Sequence, residues 1–162
     1  MSHLRYYAYD GVGKRNLGKY YYSQAVRIDN RIECAGQGNY PHFLLPSFLP
    51  PFPPTNARTL FAGGWNPKTG ELAKTIEEQI EKTFQNIELN LKDAGGAGWS
   101  QVYKIRSYHI ELSPEALGAT IAAIRKWCPD HAPVWTCVGV TALGEEGMLV
   151  EIEVEAQVPR EG

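Results

Sequence analysis

The chain has 162 residues, 21% of them charged, and a formal net charge of -2, a balance that implies neither a basic nucleic-acid surface nor an acidic disordered tail. This length suits one domain over residues 1–162, with a core large enough to need neither disulfides nor a structural metal. Cys34, Cys128 and Cys137 are odd in number, widely spaced and without a CxxC pair, so they read as thiols of a reducing compartment.

The opening "MSHLRYYAYDGVGKRN" lacks the apolar core of a secretory signal, and no stretch of about 18 residues is apolar enough to cross a bilayer. A cytoplasmic location follows as the expectation, with a mitochondrial one left open and no membrane partner. Residues 20–35, "YYYSQAVRIDNRIECA", give two short runs rich in aromatic and β-branched side chains, broken at Asp29-Asn30, which predicts a hairpin. Asn66-Pro67 and Thr69-Gly70 mark a turn or exposed loop.

Apolar residues at Ile76, Ile80, Phe84, Ile87 and Leu91 then fall four, four, three and four apart, the stripe of a long helix with Glu77, Glu78, Glu81 and Lys82 on its solvated side. Gly95-Gly96 supplies the stop. A strand is predicted over 99–111, followed by Ser113 as N-cap and Pro114 at the first helical position. Leu117, Ile121, Ile124 and Cys128 define the apolar face of this second helix. Two more strands close the chain, "PVWTCVGVTA" and "MLVEIEVEAQV", and in the last Val150, Ile152 and Val154 alternate with Glu151, Glu153 and Glu155. The order predicts an α+β fold, a sheet with two helices packed on one face.

One stretch breaks this grammar. Residues 39–63, "NYPHFLLPSFLPPFPPTNARTLFAG", hold six of the eleven prolines and four of the five phenylalanines, with Arg58 as the one charged side chain. A structureless loop of this length is improbable inside a compact domain. Two readings stay open: a proline-rich surface loop in extended polyproline conformation offered to a partner, or the translation of a retained intron. Permitted codons for Gly38-Asn39, Thr55-Asn56 and Ala62-Gly63 include a donor, a branch point and an acceptor.

"YYSQAVRIDNRIECAGQG", "NPKTGEL", "LNLKDAGG" and "PVWTCVGVTALGEEGMLVEIEVEA" together resemble the RidA family, also called YjgF or L-PSP endoribonuclease-like, over roughly residues 20–38 and 64–157. In that family Gly36-Gln37-Gly38 would run almost directly into Gly64-Trp65-Asn66-Pro67, which makes 39–63 an insertion. The resemblance implies a chorismate-mutase-like α+β subunit with a mixed sheet, assembled as a homotrimer with small-molecule ligands in the clefts between subunits. It implies hydrolysis of reactive enamines and imines to keto compounds and ammonia, with no metal and no organic cofactor.

The same resemblance suggests the site residues. Tyr22 and Glu151 are the candidate catalytic pair, the phenol orienting substrate or water and the carboxylate acting as general base. Trp135, Cys137, Ala35 and Gly36 are the candidate substrate-binding residues. Two positions depart from the family pattern: Trp135 stands where an arginine grips the substrate carboxylate, and Ala35 stands where many members carry serine. Indole has one N–H donor and no charge, so it cannot replace a bidentate guanidinium. Arg27, Arg31, Lys104 and Arg106 are other cations that could bind a carboxylate, none of them assigned.

Each candidate also has an ordinary reading, as interface packing for Tyr22 and Trp135, a small core residue for Cys137 and a solvated strand face for Glu151. A deaminase of altered substrate range therefore stands beside a non-catalytic trimer that binds a small metabolite. A ribonuclease is the weaker third reading, because no basic stripe and no pair of catalytic histidines is evident. His3, His42, His109 and His131 show no metal-ligand spacing, and "GQG" and "GGW" lack the lysine and strand-to-helix setting of a phosphate loop.

Overall fold

The computed structural model describes residues 3–37, 66, 68, 73–144 and 146–159. The proline-rich segment 39–63, with both of its readings, lies outside the described residues, as do Gly64, Trp65, Pro67, Thr69 and Gly70. Of the predicted turn, Asn66 is described, and its side-chain oxygen accepts from the backbone N–H of Lys68 at 2.9 Å.

In chain order the elements are β1 (Arg5–Tyr7), α1 (Val12–Tyr20), β2 (Ala25–Ile28), β3 (Arg31–Gln37), α2 (Ile76–Asp93), a 3-10 turn (Trp99–Gln101), β4 (Val102–His109), α3 (Pro114–Trp127), β5 (Val134–Gly139) and β6 (Val150–Gln157). The six strands form one sheet in the order β1-β2-β3-β6-β4-β5. All pairs are antiparallel except β4 and β5, which run parallel and are joined through α3. The fold is α+β, with three helices among the described residues.

The predicted hairpin forms as β2 and β3, with Asp29 in the left-handed region at φ 52°, which aspartate tolerates better than most residues. Its first strand starts at Ala25 rather than near Tyr20, because Tyr20 ends α1. That helix escapes sequence reading: "VGKRNLGKY" offers two glycines and few apolar residues, and its buried positions are Val12, Gly13 and Asn16. Val12 packs with Tyr9 and Met148 in a small second core.

α2 follows its predicted stripe. Ile80, Phe84, Ile87 and Leu91 are buried to 1% exposure or less, each such side chain contributing about 1.5–3 kcal/mol by leaving water. The Thr75 hydroxyl caps the helix by accepting from Glu78 N–H. At the other end Gly95, at φ 81°, lets the chain turn while Gly96 N–H bonds the Leu91 carbonyl at 2.9 Å. Phe84 stacks on Trp99 with ring centroids 4.3 Å apart, and the Trp99 indole N–H donates to the Phe84 carbonyl at 2.9 Å. The predicted strand over 99–111 thus begins only at Val102, since residues 99–101 are spent on a turn that seats this indole.

For α3 the cap is as expected, with Ser113 Oγ accepting from Ala116 N–H at 3.1 Å. Its buried face is not: Ala116, Thr120 and Ala123 face inward, while Ile121 is 40% exposed and Leu117 and Ile124 are half-buried. Small side chains allow this helix to sit close, and the bulkier apolar residues lie along its flanks. Cys128 remains buried, as does Cys34, and burial pushes the Cys128 thiol up to about 11.

The core lies between α2, α3 and one face of the sheet, where Ile32, Cys34, Ile105, Val150, Ile152, Val154 and Ala156 are buried. The opposite face carries the alternate residues, Arg31, Glu33, Lys104, Arg106, Tyr108, Glu151, Glu153 and Glu155. No described helix covers it.

Candidate functional site

A β-bulge builds the centre of the site. On β3, Cys34 pairs with Val154 and Gln37 with Ile152, so three steps on one strand match two on the other and an extra residue is inserted at Ala35-Gly36. Such bulges re-aim side chains locally. Here Gln37 turns inward to complete burial, and Gly36 comes to face Glu151. A Cβ added at Gly36 would lie 1.9 Å from Glu151 Oε1, so the carboxylate occupies the space that any side chain at 36 would need.

The bulge is fixed by buried amides. Gln37 Nε2 donates to the Gln24 side-chain oxygen at 3.1 Å and to the Ala35 carbonyl at 2.9 Å. The Tyr9 hydroxyl donates to Gln37 Oε1 at 3.3 Å, and Asn90 Nδ2 donates to the Gln24 carbonyl at 2.7 Å. Gln24, Gln37 and Asn90 are fully buried. Asn16, also fully buried, donates from Nδ2 to the Tyr22 hydroxyl at 3.1 Å. Burial raises the Tyr22 phenol above its ordinary pKa, and the nearby charge of Glu151 adds to the effect.

Electrostatics single out Glu151 in its row. Lys104 Nζ meets Glu155 Oε1 at 2.5 Å, Arg106 Nη1 meets Glu153 Oε1 at 2.6 Å and Arg31 Nη2 meets Glu33 Oε1 at 2.9 Å. Tyr103 and Tyr108 donate to Glu155 and Glu153 as well. Glu151 has no ion pair among the described residues. Burial, with the charge of Glu153 second, raises its carboxyl from 4.5 to about 7, which suits proton exchange near neutrality.

A pocket of about 450 Å³ is lined by Tyr6, Tyr21, Tyr22, Val26, Glu33 and Ala35, and it reaches the carboxylate through Tyr22, which feels the charge of Glu151. Tyr21 sits at the C-terminal cap of α1 with left-handed backbone, φ 57° and ψ 40°, and its side chain is 95% exposed. That backbone costs a residue other than glycine about 1 kcal/mol.

Tyr22, Ala35, Gly36 and Glu151 are thus brought together on the bare side of the sheet. Trp135 and Cys137 are not among them. They pair with Ile105 and Ser107, whose side chains are buried under the helices, so both project to the helix side of edge strand β5. Trp135 rests half-buried against the core and donates its indole N–H to Ser107 Oγ at 2.9 Å. Of the unassigned cations, Arg31, Lys104 and Arg106 are held by carboxylates, and Arg27 Nε donates to the Asp29 carbonyl at 3.1 Å.

Sequence reasoning missed Asn16, Gln24, Gln37, Tyr6 and Tyr21. The one signal available was a glycine inside the strand pattern "IECAGQ", which marks a bulge. Polar amides give no pattern that betrays burial. No group of three or more His, Cys, Asp or Glu side chains could hold a metal ion among the described residues. Likewise, no described helix is long and apolar enough to cross a membrane.

A mixed six-stranded sheet with helices on one face and a bulge-built carboxylate on the other defines an α+β protein of the YjgF type. The profile of the family described as Endoribonuclease L-PSP matches residues 54–158, and the chain belongs to that family, the YjgF/RidA group. Among solved structures it is similar to Rv2704 of Mycobacterium tuberculosis, a member of the YjgF/YER057c/UK114 family, at 22% identity and TM-score 0.67, covering 96% of this chain and 99% of that one. RidA from an Antarctic Psychrobacter gives 23% identity, TM-score 0.64 and 94% coverage of both chains. Yeast Mmf1 gives 17%, 0.64, 96% and 99%. At these identities the likeness concerns the fold. No curated protein sequence matches the chain.

Proposed function

We propose that the chain is a divergent enamine or imine deaminase, hydrolysing reactive imines to keto compounds and ammonia, with Glu151 as proton-transfer group and Tyr22 orienting the substrate or water. The observation that carries this reading is the Glu151 carboxylate: without an ion pair among the described residues, raised to about 7, and held against Gly36 at a bulge. In the proposed reaction Glu151 takes a proton from water as its oxygen bonds to the C=N carbon. That proton passes to nitrogen to give the carbinolamine, the remaining hydroxyl proton is then transferred to nitrogen as its oxygen forms the carbonyl, and the C–N bond breaks to release ammonia.

A homotrimer with ligands in its intersubunit clefts is part of the proposal. One subunit holds Tyr22, Ala35, Gly36 and Glu151 on one side of the sheet and Trp135 and Cys137 on the other, so the six meet only if edge strand β5 of a neighbour completes the cleft. In this arrangement Trp135 supplies an apolar surface where the family places an arginine, which shifts the substrate range. Residues 39–63 belong to the same single domain as an insertion.

The ordered contacts of Trp135, and the absence of an untied cation beside Glu151 among the described residues, favour as second reading a trimer that binds a small metabolite without turnover. Ammonia release by the full chain decides between them, with a panel of freshly generated imines that includes 2-iminopropionate. The deaminase reading expects release by the parent and its loss in Glu151→Gln, with Trp135→Arg gaining on the carboxylate-bearing imine. Absence of release across the panel sinks it, and a mass other than three chains in light scattering sinks the intersubunit site.

A further inference from the structure

The charge inventory around Glu151 narrows the substrate, an inference that rests on the deaminase reading. Among the described residues three cations share the bare face, and each is tied to its own carboxylate: Arg31 to Glu33, Lys104 to Glu155 and Arg106 to Glu153. Glu151 is the charge left over. A substrate carrying its own carboxylate would meet this anion with no untied cation among those three to offset it, and like charges at close range are unfavourable in a partly dry site. A cation would meet the opposite field.

The pocket that shares Tyr22 with the site adds shape and chemistry. Tyr6, Tyr21 and Tyr22 line a space of about 450 Å³ together with Val26, Ala35 and Glu33, within the range that encloses a small organic molecule. Tyrosine faces attract cations and stack against rings. Tyr21 carries the second, independent observation. A helix end of this kind usually places glycine in the left-handed position, yet the chain holds a tyrosine there, in left-handed backbone and 95% exposed. Tyr6 beside it is 55% exposed. Strain retained to present an aromatic ring to solvent points to something that the ring contacts.

We infer that the substrate is a protonated imine of an aromatic or bulky apolar carbonyl compound with no carboxylate, its ring among Tyr6, Tyr21 and Tyr22 and its C=N group toward Glu151. The reaction balances without any redox partner. Water adds through oxygen to the carbon of the iminium group, one water proton passes to nitrogen, and the C–N bond breaks with its electron pair leaving on nitrogen. The second water proton leaves the new hydroxyl as its oxygen forms the carbonyl, and it is taken up by the departing ammonia. The products are the neutral carbonyl compound and one ammonium ion.

The test measures ammonia release by the full chain from acetophenone imine and from 2-iminopropionate, and titrates phenethylammonium and phenylacetate as binding probes of similar size and opposite charge. Acetophenone imine is expected to exceed 2-iminopropionate in kcat/KM by about tenfold or more, and phenethylammonium to bind more tightly than phenylacetate by a similar factor. Tyr21→Ala is expected to lower kcat/KM for acetophenone imine about fivefold or more, with oligomeric mass unchanged. Preference for 2-iminopropionate overturns the substrate class and leaves the deaminase reading in place. Release from neither imine overturns both. Tighter binding of phenylacetate, or a Tyr21→Ala variant whose loss of activity tracks a loss of assembly, overturns the role given to the pocket.

Discussion

Along β6 one strand serves two environments. Val150, Ile152, Val154 and Ala156 are sealed beneath α2 and α3, while Glu151, Glu153 and Glu155 stand on the side that no described helix covers. On the covered side apolar contact sets the energy, and most buried polar groups there have a partner built for them. The bare side is organised by charge pairing, and its informative residue is the one left without an ion pair. The difference teaches that the same alternation can encode a core and a site at once, with burial deciding one and electrostatics the other.

The sharpest way to break this comparison is to delete volume from the covered face. Phe84→Ala removes a fully buried ring stacked on Trp99 and is expected to cost about 3–5 kcal/mol, read as a lower urea midpoint. Next in size is a pH effect on the bare face. The folded pKa of Glu151 is raised from 4.5 to about 7, so its contribution is fully present below the unfolded value and is lost as pH rises toward 7. Relative to Glu151→Gln, the parent should lose on the order of 2 kcal/mol between pH 5 and 8; a constant difference across that range would contradict the placement of the carboxylate.

His109 tests the covered face from its polar side. Its ring is fully buried, neither nitrogen has a hydrogen-bond partner among the described residues, and burial lowers its pKa. Stability linked to this group is present above about 6.5 and is lost as pH falls below it, as the unfolded chain takes the proton first. His109→Leu should therefore be neutral or stabilising by about 1 kcal/mol at neutral pH and should flatten the acid limb of the stability profile. Ser113→Ala, which removes the α3 cap, is expected to cost about 1 kcal/mol. The smallest change belongs to Arg106→Ala, where breaking the solvent-screened pair with Glu153 should shift the urea midpoint barely, and not at all in high salt. A loss comparable to that of Phe84→Ala would mean that the bare face is covered in the working protein.

Legibility in the sequence followed the same division. The α2 stripe, the Ser113 cap and the β6 alternation were readable because each depends on local spacing. α3 was misjudged because Ala116, Thr120 and Ala123 are too small to stand out beside Leu117 and Ile121. α1 left almost no apolar trace. Of the candidate site, the grouping of Tyr22, Ala35 and Gly36 with Glu151 depends on a one-residue bulge against β6. The side taken by Trp135 and Cys137 depends on the parallel pairing of β5 with β4. Neither long-range register is written in local periodicity, and the buried amides Gln24, Gln37 and Asn90 carry the composition of a surface.

The contact between Gly36 and Glu151 also constrains the paths by which this site can change. Because the carboxylate fills the space of a Cβ at 36, a substitution there is felt first as eviction of its neighbour. A shorter residue at 151 makes the same substitution harmless to packing. Position 36 can therefore grow only as the Glu151 side chain swings away or is shortened, and the two behave as one epistatic locus. A lineage that lost the carboxylate would be free to elaborate the bulge, whereas one that kept it would do so at the expense of the carboxylate's position.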